Sequence, residues 1–429
     1  MRQGCILSST LFNLYTEELA TRTNKGIQMK DSKINALFYA DDIILLSESA
    51  EDMQEFLDIT TTYARNYLVD FGYEKCNIMI VNKTEEDKHI TWNLKNKEIT
   101  LTSDYRYLGV WINENGQDKT MQEKIALANS WMGRLASAAK MRTCKYETIR
   151  EVWKTIAVPA IMYGMEAISV KDSDIERLET IQNKVARISL NAPKYVANET
   201  LRGDMGWSTF KERNMKACLT YKWRLECMKE NRSAKQAYND NNWNSKWNKK
   251  CKKMLDRCGF PAWRIINDKD MTYDRGKEEL KNIVKELGLE VWKGEMEKKS
   301  TLKWYQTKEK PSFEKYYDGS KGGDLLFQAR TQCLPINSRT YRWNPNRSKS
   351  CIFCKEEETI EHLLMRCPEY KREREIALHL LQEEIPIGTE DEAIRTILCL
   401  REDGQARPEI SKNYLWRIWK IRERKIEQR

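Results

Sequence analysis

The sequence predicts an α+β chain: a small antiparallel sheet with helices at the N-terminal end, then mostly α-helical segments, with a small cysteine–histidine module among them. Three observations carry this reading. Two strand-like apolar runs flank a pair of aspartates in "INALFYADDIILL". Helical periodicity fills three long segments after Asp118, and one late cluster has the spacing of metal ligands.

Taken in order, "RQGCILSSTLFNLY" reads as a turn leading into a helix. Gly4 lacks a Cβ, so its backbone can approach a ligand closely beside the Gln3 amide, although an ordinary turn before an amphipathic helix has the same pattern. "INALFYA" and "IILL" then read as a hairpin with Asp41 and Asp42 at or beside its turn. Aspartate is also a common turn residue, so the tetrapeptide "YADD" does not decide between turn and site. Ser49 with Asp52 approximates a capping box, and Met53, Phe56, Leu57, Tyr63, Ala64 and Tyr67 recur at helical spacing, with Gly72 placed to close the helix. "NIMIV" and "YLGVWI" add two strands, which suits a sheet covered by helices on one face.

Beyond Asp118 come "KTMQEKIALANSWMGRLASAAK", "YETIREVWKTIAVPAIMYGMEAI" and "SDIERLETIQNKVARISL", expected to form a helical bundle in which Pro159 kinks or splits the second member. From about Thr209 to Ser300 the chain is basic and tryptophan-rich. There Trp223, Trp243 and Trp247 alternate with Lys and Arg, a mixture that suits base stacking with phosphate contacts and equally suits a helix with tryptophans in its core. In "NYLWRIWKIRERKIEQR", Leu415, Ile418 and Ile421 can share an apolar face while Arg417, Lys420, Arg424 and Lys425 stay solvated or hold RNA.

The 429 residues allow about two to four compact units. Lys plus Arg number 74 against 64 Asp plus Glu, a formal net charge of +10, which points toward a polyanionic partner such as nucleic acid. No run approaches the roughly 20 apolar residues that span a bilayer, and the N-terminus lacks a signal-peptide layout, so an intracellular soluble protein without a membrane partner is expected. Most of the 12 cysteines are scattered singly, as buried thiols are. The exception is "CIFCKEEETIEHLLMRCP", where Cys351, Cys354, His362 and Cys367 form C-x2-C-x7-H-x4-C. Three thiolates and one imidazole that can close a tetrahedral site favour Zn²⁺.

Four stretches in order, "RQGCILSSTLFNLY", "ALFYADDIILLS", "YEKCNIMIVN" and "YRYLGVWI", resemble the palm motif series of reverse transcriptases from non-LTR (LINE-type) retrotransposons. The resemblance implies RNA-templated addition of deoxynucleotides to a DNA 3′-end, with Mg²⁺ bound by Asp41 as the principal ligand and by its neighbour Asp42. It implies that Gln3, Gly4, Tyr39 and Ala40 lie against nucleotide and template, that Lys75 assists the leaving pyrophosphate, and that Tyr107, Leu108 and Gly109 grip the primer end. Ile6 and Ser9 stand where many relatives carry proline, and "VDFGYEK" lacks the asparagine common three residues before the lysine.

The stretch from Pro159 to Glu166, P-A-x-x-Y-G-x-E, resembles the thumb of the same elements, and the cysteine–histidine cluster resembles their zinc module, with "LLFQARTQCLPINSRTYRW" as its lead-in. Cys333 is a possible substitute ligand or a core residue. The domains implied are a partial palm over 1–115, a helical thumb over 116–207, a basic connector over 208–324, a CCHC zinc module over 325–374 and a basic helical tail over 375–429. Because Met1 falls inside the Gln-Gly motif, the family's upstream metal-binding aspartate and fingers are expected to be missing, leaving a fragment inactive alone. The partners implied are RNA template, DNA primer or target, dNTPs and that upstream polymerase segment. The setting implied is the nucleus, after RNA–protein assembly in the cytoplasm. The alternative is a non-catalytic nucleic-acid-binding protein derived from such an element.

Overall fold

Helices hold most of the chain, and its strands are short. The structure, a computed structural model, describes residues 6–428 except 23–24, 31, 114–117, 141–144, 241–244 and 269. The chain divides into two compact units. One comprises Met1–Glu123, Gly164–Ser169 and Cys218–Lys277, and the other Lys124–Tyr163, Val170–Ala217 and Glu278–Arg429.

In the first unit helix α1 (Ser8–Thr21) precedes strands β1 (Ile27–Gln28) and β2 (Lys33–Ile34), which pair antiparallel. Strands β3 (Ala36–Tyr39) and β4 (Asp42–Leu45) form the next hairpin, with Tyr39 opposite Asp42. Helix α2 (Ala50–Asn66) starts as its sequence promises, with the Ser49 hydroxyl accepting from Asp52 N at 3.1 Å. Its end differs from expectation. Leu68 takes the left-handed conformation (φ 53°) that Gly72 was expected to supply, and the chain turns before that glycine is reached.

Strands β5 (Asn77–Ile78), β6 (Trp92–Leu94) and β7 (Lys97–Leu101) make a three-stranded sheet in the order β5-β7-β6. β7 runs antiparallel to β6 and parallel to β5. The "NIMIV" strand therefore shrinks to two residues. "YLGVWI" is a hairpin instead of a strand: β8 (Asp104–Tyr107) and β9 (Val110–Asn113) flank a Leu108-Gly109 turn. Among the described residues the expected single antiparallel sheet is four small separate ones, one holding a parallel pairing. Leu57, Ile78, Trp92, Leu94 and Ile99 form the core beneath, and α2 is tied to β6 because Gln54 Nε2 donates to Asn93 O (2.9 Å) while Asn93 N donates to Gln54 Oε1 (2.9 Å).

The remaining helices are α3 (Asp118–Ala138), α4 (Lys145–Val152), α5 (Val158–Met162), α6 (Asp172–Leu190), α7 (Asn198–Met205), α8 (Phe210–Glu226), α9 (Ser233–Asp240), α10 (Lys246–Cys258), α11 (Phe260–Asn267), α12 (Tyr273–Glu297), α13 (Lys321–Arg330), α14 (Asn337–Trp343), α15 (Lys371–Gln382), α16 (Glu390–Ile397) and α17 (Pro408–Glu427). Pro159 does not break its segment: α4 continues through one π-helical turn, Trp153–Ala157, into α5, and that turn accommodates the proline. In the second unit Trp304, Tyr305, Leu326, Leu363, Leu364, Tyr370, Leu415 and Ile418 belong to one continuous core. No helix among the described residues is long and apolar enough to cross a membrane.

Candidate functional site

Two constellations stand out. The first is the β3–β4 hairpin. Its two-residue turn is Ala40-Asp41, and Ala40 adopts a φ of 49°, where a Cβ is disfavoured. Asp41 thus sits in the turn and Asp42 opens β4. Both are exposed, as is Tyr39. The β8–β9 hairpin faces them electrostatically. Burial, and after it the negative charge of Asp42, raises the phenols of Tyr105 and Tyr107 above their usual range. Cys76 also acts on Tyr105, so the segment after the single 3-10 turn Tyr73–Lys75 arrives at the same place, with Lys75 exposed one residue before it.

The charge of Asp42 is thus felt by Tyr105 and Tyr107 and that of Cys76 by Tyr105, with Leu108 (φ 47°) and Gly109 (φ 79°) at the tip of the second hairpin. Gln3 and Gly4 lie outside the described residues. Tyr105 was missed in the sequence. The period of two along β8 places it on the same face as Tyr107, which was the available signal. Two carboxylates offer hard oxygen donors that suit a cation such as Mg²⁺. Among the described residues no third His, Cys, Asp or Glu joins them in a metal-sized group.

The second constellation is the cysteine–histidine cluster. The ligand atoms of Cys351, Cys354, His362 and Cys367 all lie within 4.8 Å of one another, with Cys351 Sγ 3.9 Å from Cys367 Sγ and Cys354 Sγ 3.3 Å from His362 Nε2. Local folding explains the convergence. Lys355 takes a left-handed φ of 70°, closing a knuckle in which Cys351 N donates to Glu356 O at 2.6 Å, and a π-helical turn His362–Arg366 ends at Cys367. Glu356 Oε2 lies 3.2 Å from His362 Nδ1, the ring nitrogen other than the one beside Cys354. Cys333 is buried elsewhere, its thiol on Thr331 O at 3.3 Å, and takes no part in the cluster.

The tryptophan-rich stretch is used for packing. Trp223 is buried and donates to Tyr273 O (2.9 Å), and Trp247 donates to Glu166 O (2.7 Å), while Trp243 lies outside the described residues. On α17, Leu415 and Ile418 are buried and Arg417, Lys420, Arg424 and Lys425 are exposed, the division its periodicity implies.

Residues 1–112 match the family of reverse transcriptases (RNA-dependent DNA polymerases). The chain is 26% identical over 204 residues to a retrovirus-related Pol polyprotein from the type-1 retrotransposable element R2 of Nasonia vitripennis, covering 45% of this chain and 19% of that one. It is 22% identical over 395 residues to the corresponding polyprotein of Popillia japonica, covering 87% of this chain and 60% of that one. A probable RNA-directed DNA polymerase from transposon BS of Drosophila melanogaster is 24% identical over 237 residues, 52% of this chain and 26% of its own.

The similarity is thus to reverse transcriptases over residues 1–112 and, over longer stretches, to polyproteins and polymerases of non-LTR retrotransposons. It spans less than two thirds of the length of the R2 polyproteins it matches. The reverse transcriptase match covers both hairpins described above, Asp41-Asp42 and Leu108-Gly109. The cysteine–histidine cluster lies beyond that match.

Proposed function

We propose that this chain works in RNA-directed DNA synthesis for a non-LTR retrotransposon, supplying part of the palm (1–115), the thumb (116–207), the connector (208–324), the zinc module (325–374) and the tail (375–429). The observation that carries this is the reverse transcriptase match over residues 1–112, which takes in the exposed Asp41-Asp42 hairpin and the Leu108-Gly109 turn. Cations at the aspartates would activate the primer 3′-hydroxyl and stabilise the leaving pyrophosphate. Asp41 and Asp42 would hold Mg²⁺. Tyr107, Leu108 and Gly109 would seat the primer end, Gln3, Gly4, Tyr39 and Ala40 would bound the nucleotide and template, and Lys75 would face the pyrophosphate.

At the other site Zn²⁺ would be held by Cys351, Cys354, His362 and Cys367, as a structural cross-link with no open position. Both donor sets fit their metals in kind. The zinc set has four ligands, and the palm pair offers two exposed carboxylates.

The test is primer extension with RNA template, DNA primer, Mg²⁺ and dNTPs. Residues 1–429 alone are expected to give no product, and a polymerase segment from a relative that carries the further aspartate is expected to restore synthesis. Asp41→Ala should abolish the restored activity; synthesis that survives this change would refute the metal role of Asp41. A second reading, a nucleic-acid-binding protein without polymerase activity, has its footing in the net charge of +10. No synthesis in any restored complex, with RNA binding intact, would favour it.

A further inference from the structure

From Leu325 through Lys355 the sequence holds no Asp or Glu, while Arg339, Arg342, Arg347 and Lys349 all fall within that stretch. Arg339 sits at an aromatic pair, and Arg342, Arg347 and Lys349 lie exposed on α14 and the loop that follows it. Tyr195, on the connection between α6 and α7, and Trp343, the last residue of α14, have ring centroids 5.9 Å apart at a 37° tilt. Both are exposed, Trp343 at 69%. The Arg339 guanidinium lies over the Tyr195 ring, 4.8 Å from its centroid, and Lys349 lies 4.8 Å over Tyr341. A large indole left in water at the end of a helix whose neighbours are cationic is poor economy for packing. It is good geometry for stacking.

Two further features mark this surface as built. The basic loop after α14 is anchored at its base, because Asn337 Nδ2 donates to Ser350 O (2.7 Å) and Glu358 N donates to Lys349 O (3.0 Å). Beneath Tyr195, Arg339 Nη1 donates to Gln332 O, yet Arg339 Nε and Gln332 Nε2 are buried with no hydrogen-bond partner among the described residues. Buried donors of this kind call for an acceptor from a bound molecule or water.

We propose that Tyr195, Trp343, Arg339, Arg342, Arg347 and Lys349 form a binding surface for single-stranded RNA. A base stacks on Trp343 beside Tyr195, and the cationic loop leading to Cys351 takes the flanking phosphates. Unpaired bases are required because a base must leave its own stack to lie on the indole. The site is remote in sequence from the hairpin aspartates and needs neither dNTP nor Mg²⁺. Only the choice of RNA over other single strands rests on the polymerase reading.

The experiment is fluorescence anisotropy of a labelled single-stranded uridine oligonucleotide titrated with the full chain. A thymidine DNA strand and an RNA duplex serve as comparison arms, each over a salt series. Trp343→Ala is expected to weaken RNA binding on the order of 10-fold, the scale of one lost stacked base, and Trp343→Phe to restore most of it. Changing Arg342, Arg347 and Lys349 to Ser should flatten the slope of log K against log salt by about 2, near 0.7 for each phosphate released from a single strand. Melting temperature should be unchanged in all three variants, since the altered side chains are exposed.

Unchanged affinity in Trp343→Ala together with an unchanged slope in the triple variant would overturn the proposal. So would preferred binding of duplex, or DNA binding equal to RNA with the same losses. The binding titration contains no primer, dNTP or Mg²⁺, so a failed polymerase test and a failed binding test are read separately.

Discussion

Asp204 is fully buried at the C-terminal end of α7, and it is charged. Tyr305 Oη donates to it at 2.6 Å, Tyr317 donates as well, Arg330 Nη2 and Nε approach at 3.1 and 3.3 Å, and Lys308 Nζ at 3.3 Å. Burial pushes its carboxyl upward, but Arg330 and Lys308 outweigh that and hold it at about 2. Arg330 Nη1 in turn donates to Leu398 O (2.7 Å) and Cys399 O (2.6 Å), so one ion pair ties α7 to α13 and to the turn after α16. Replacing Arg330 by Met leaves the buried carboxylate with Lys308 as its one named cation and should cost up to about 3–5 kcal/mol in urea unfolding. The double change Asp204→Leu, Arg330→Met should cost less than the sum of the two single changes. The pH dependence has a definite sign. The folded carboxyl lies below its unfolded value of roughly 3.9, so its contribution is full above about pH 4 and is lost as pH falls toward 2. Asp204→Asn should show a shallower loss across that window. None of this was legible in "LRGDMGW". Asp204 meets Arg330 across 126 residues, and no local pattern marks an aspartate that will be buried by so distant a partner.

At the scale of elements, the signals that could be read were those a few residues long. The Ser49 cap, the apolar spacing of α2 and α6 and the hairpin around Asp41-Asp42 follow from local sequence, and the structure has them. Turns made by unexpected residues were not legible. Leu68 closes α2 ahead of Gly72, and Lys95 (φ 49°) with Asn96 (φ 65°) turns the unforeseen β6–β7 hairpin, because pairing with neighbouring segments overrides weak local preference. Leu108-Gly109 is the informative case. Positive φ at both positions is a type I′ turn, which Asn-Gly satisfies best, and a leucine there is strained. Leu108→Asn should therefore stabilise the hairpin by up to about 1 kcal/mol. If Leu108 also meets the primer end, the same variant should raise the melting temperature while lowering extension by the restored polymerase. A variant that is more stable and fully active would remove Leu108 from the primer grip.

Across the whole second unit, the cysteine–histidine cluster is embedded in a large core. Cys351 and Cys367 share it with Leu363, Leu364, Tyr370, Leu415 and Ile418. α17 grips the cluster from the side. Arg422 Nε and Nη2 donate to Glu358 at 2.8 and 2.9 Å, between the second and third ligands in sequence, and Tyr414 Oη donates to Leu364 O at 2.5 Å. The four ligands could be read from spacing, while the docking of a helix more than 40 residues later could not, since Arg422 and Glu358 look like any solvated pair in a charged sequence. A bound Zn²⁺ would therefore stabilise more than its own knuckle. Metal bound to the folded chain stabilises it by its affinity for that chain over the unfolded one, so removal should cost stability that is felt at a distance. Metal analysis should give one zinc per chain, lost in Cys354→Ser. Chelation should lower the melting temperature and, in hydrogen exchange, deprotect α17 amides around Tyr414 and Arg422 along with those of the ligand loop. Deprotection confined to residues 351–367 would show that the metal holds only the knuckle and that the core keeps α17 in place without it.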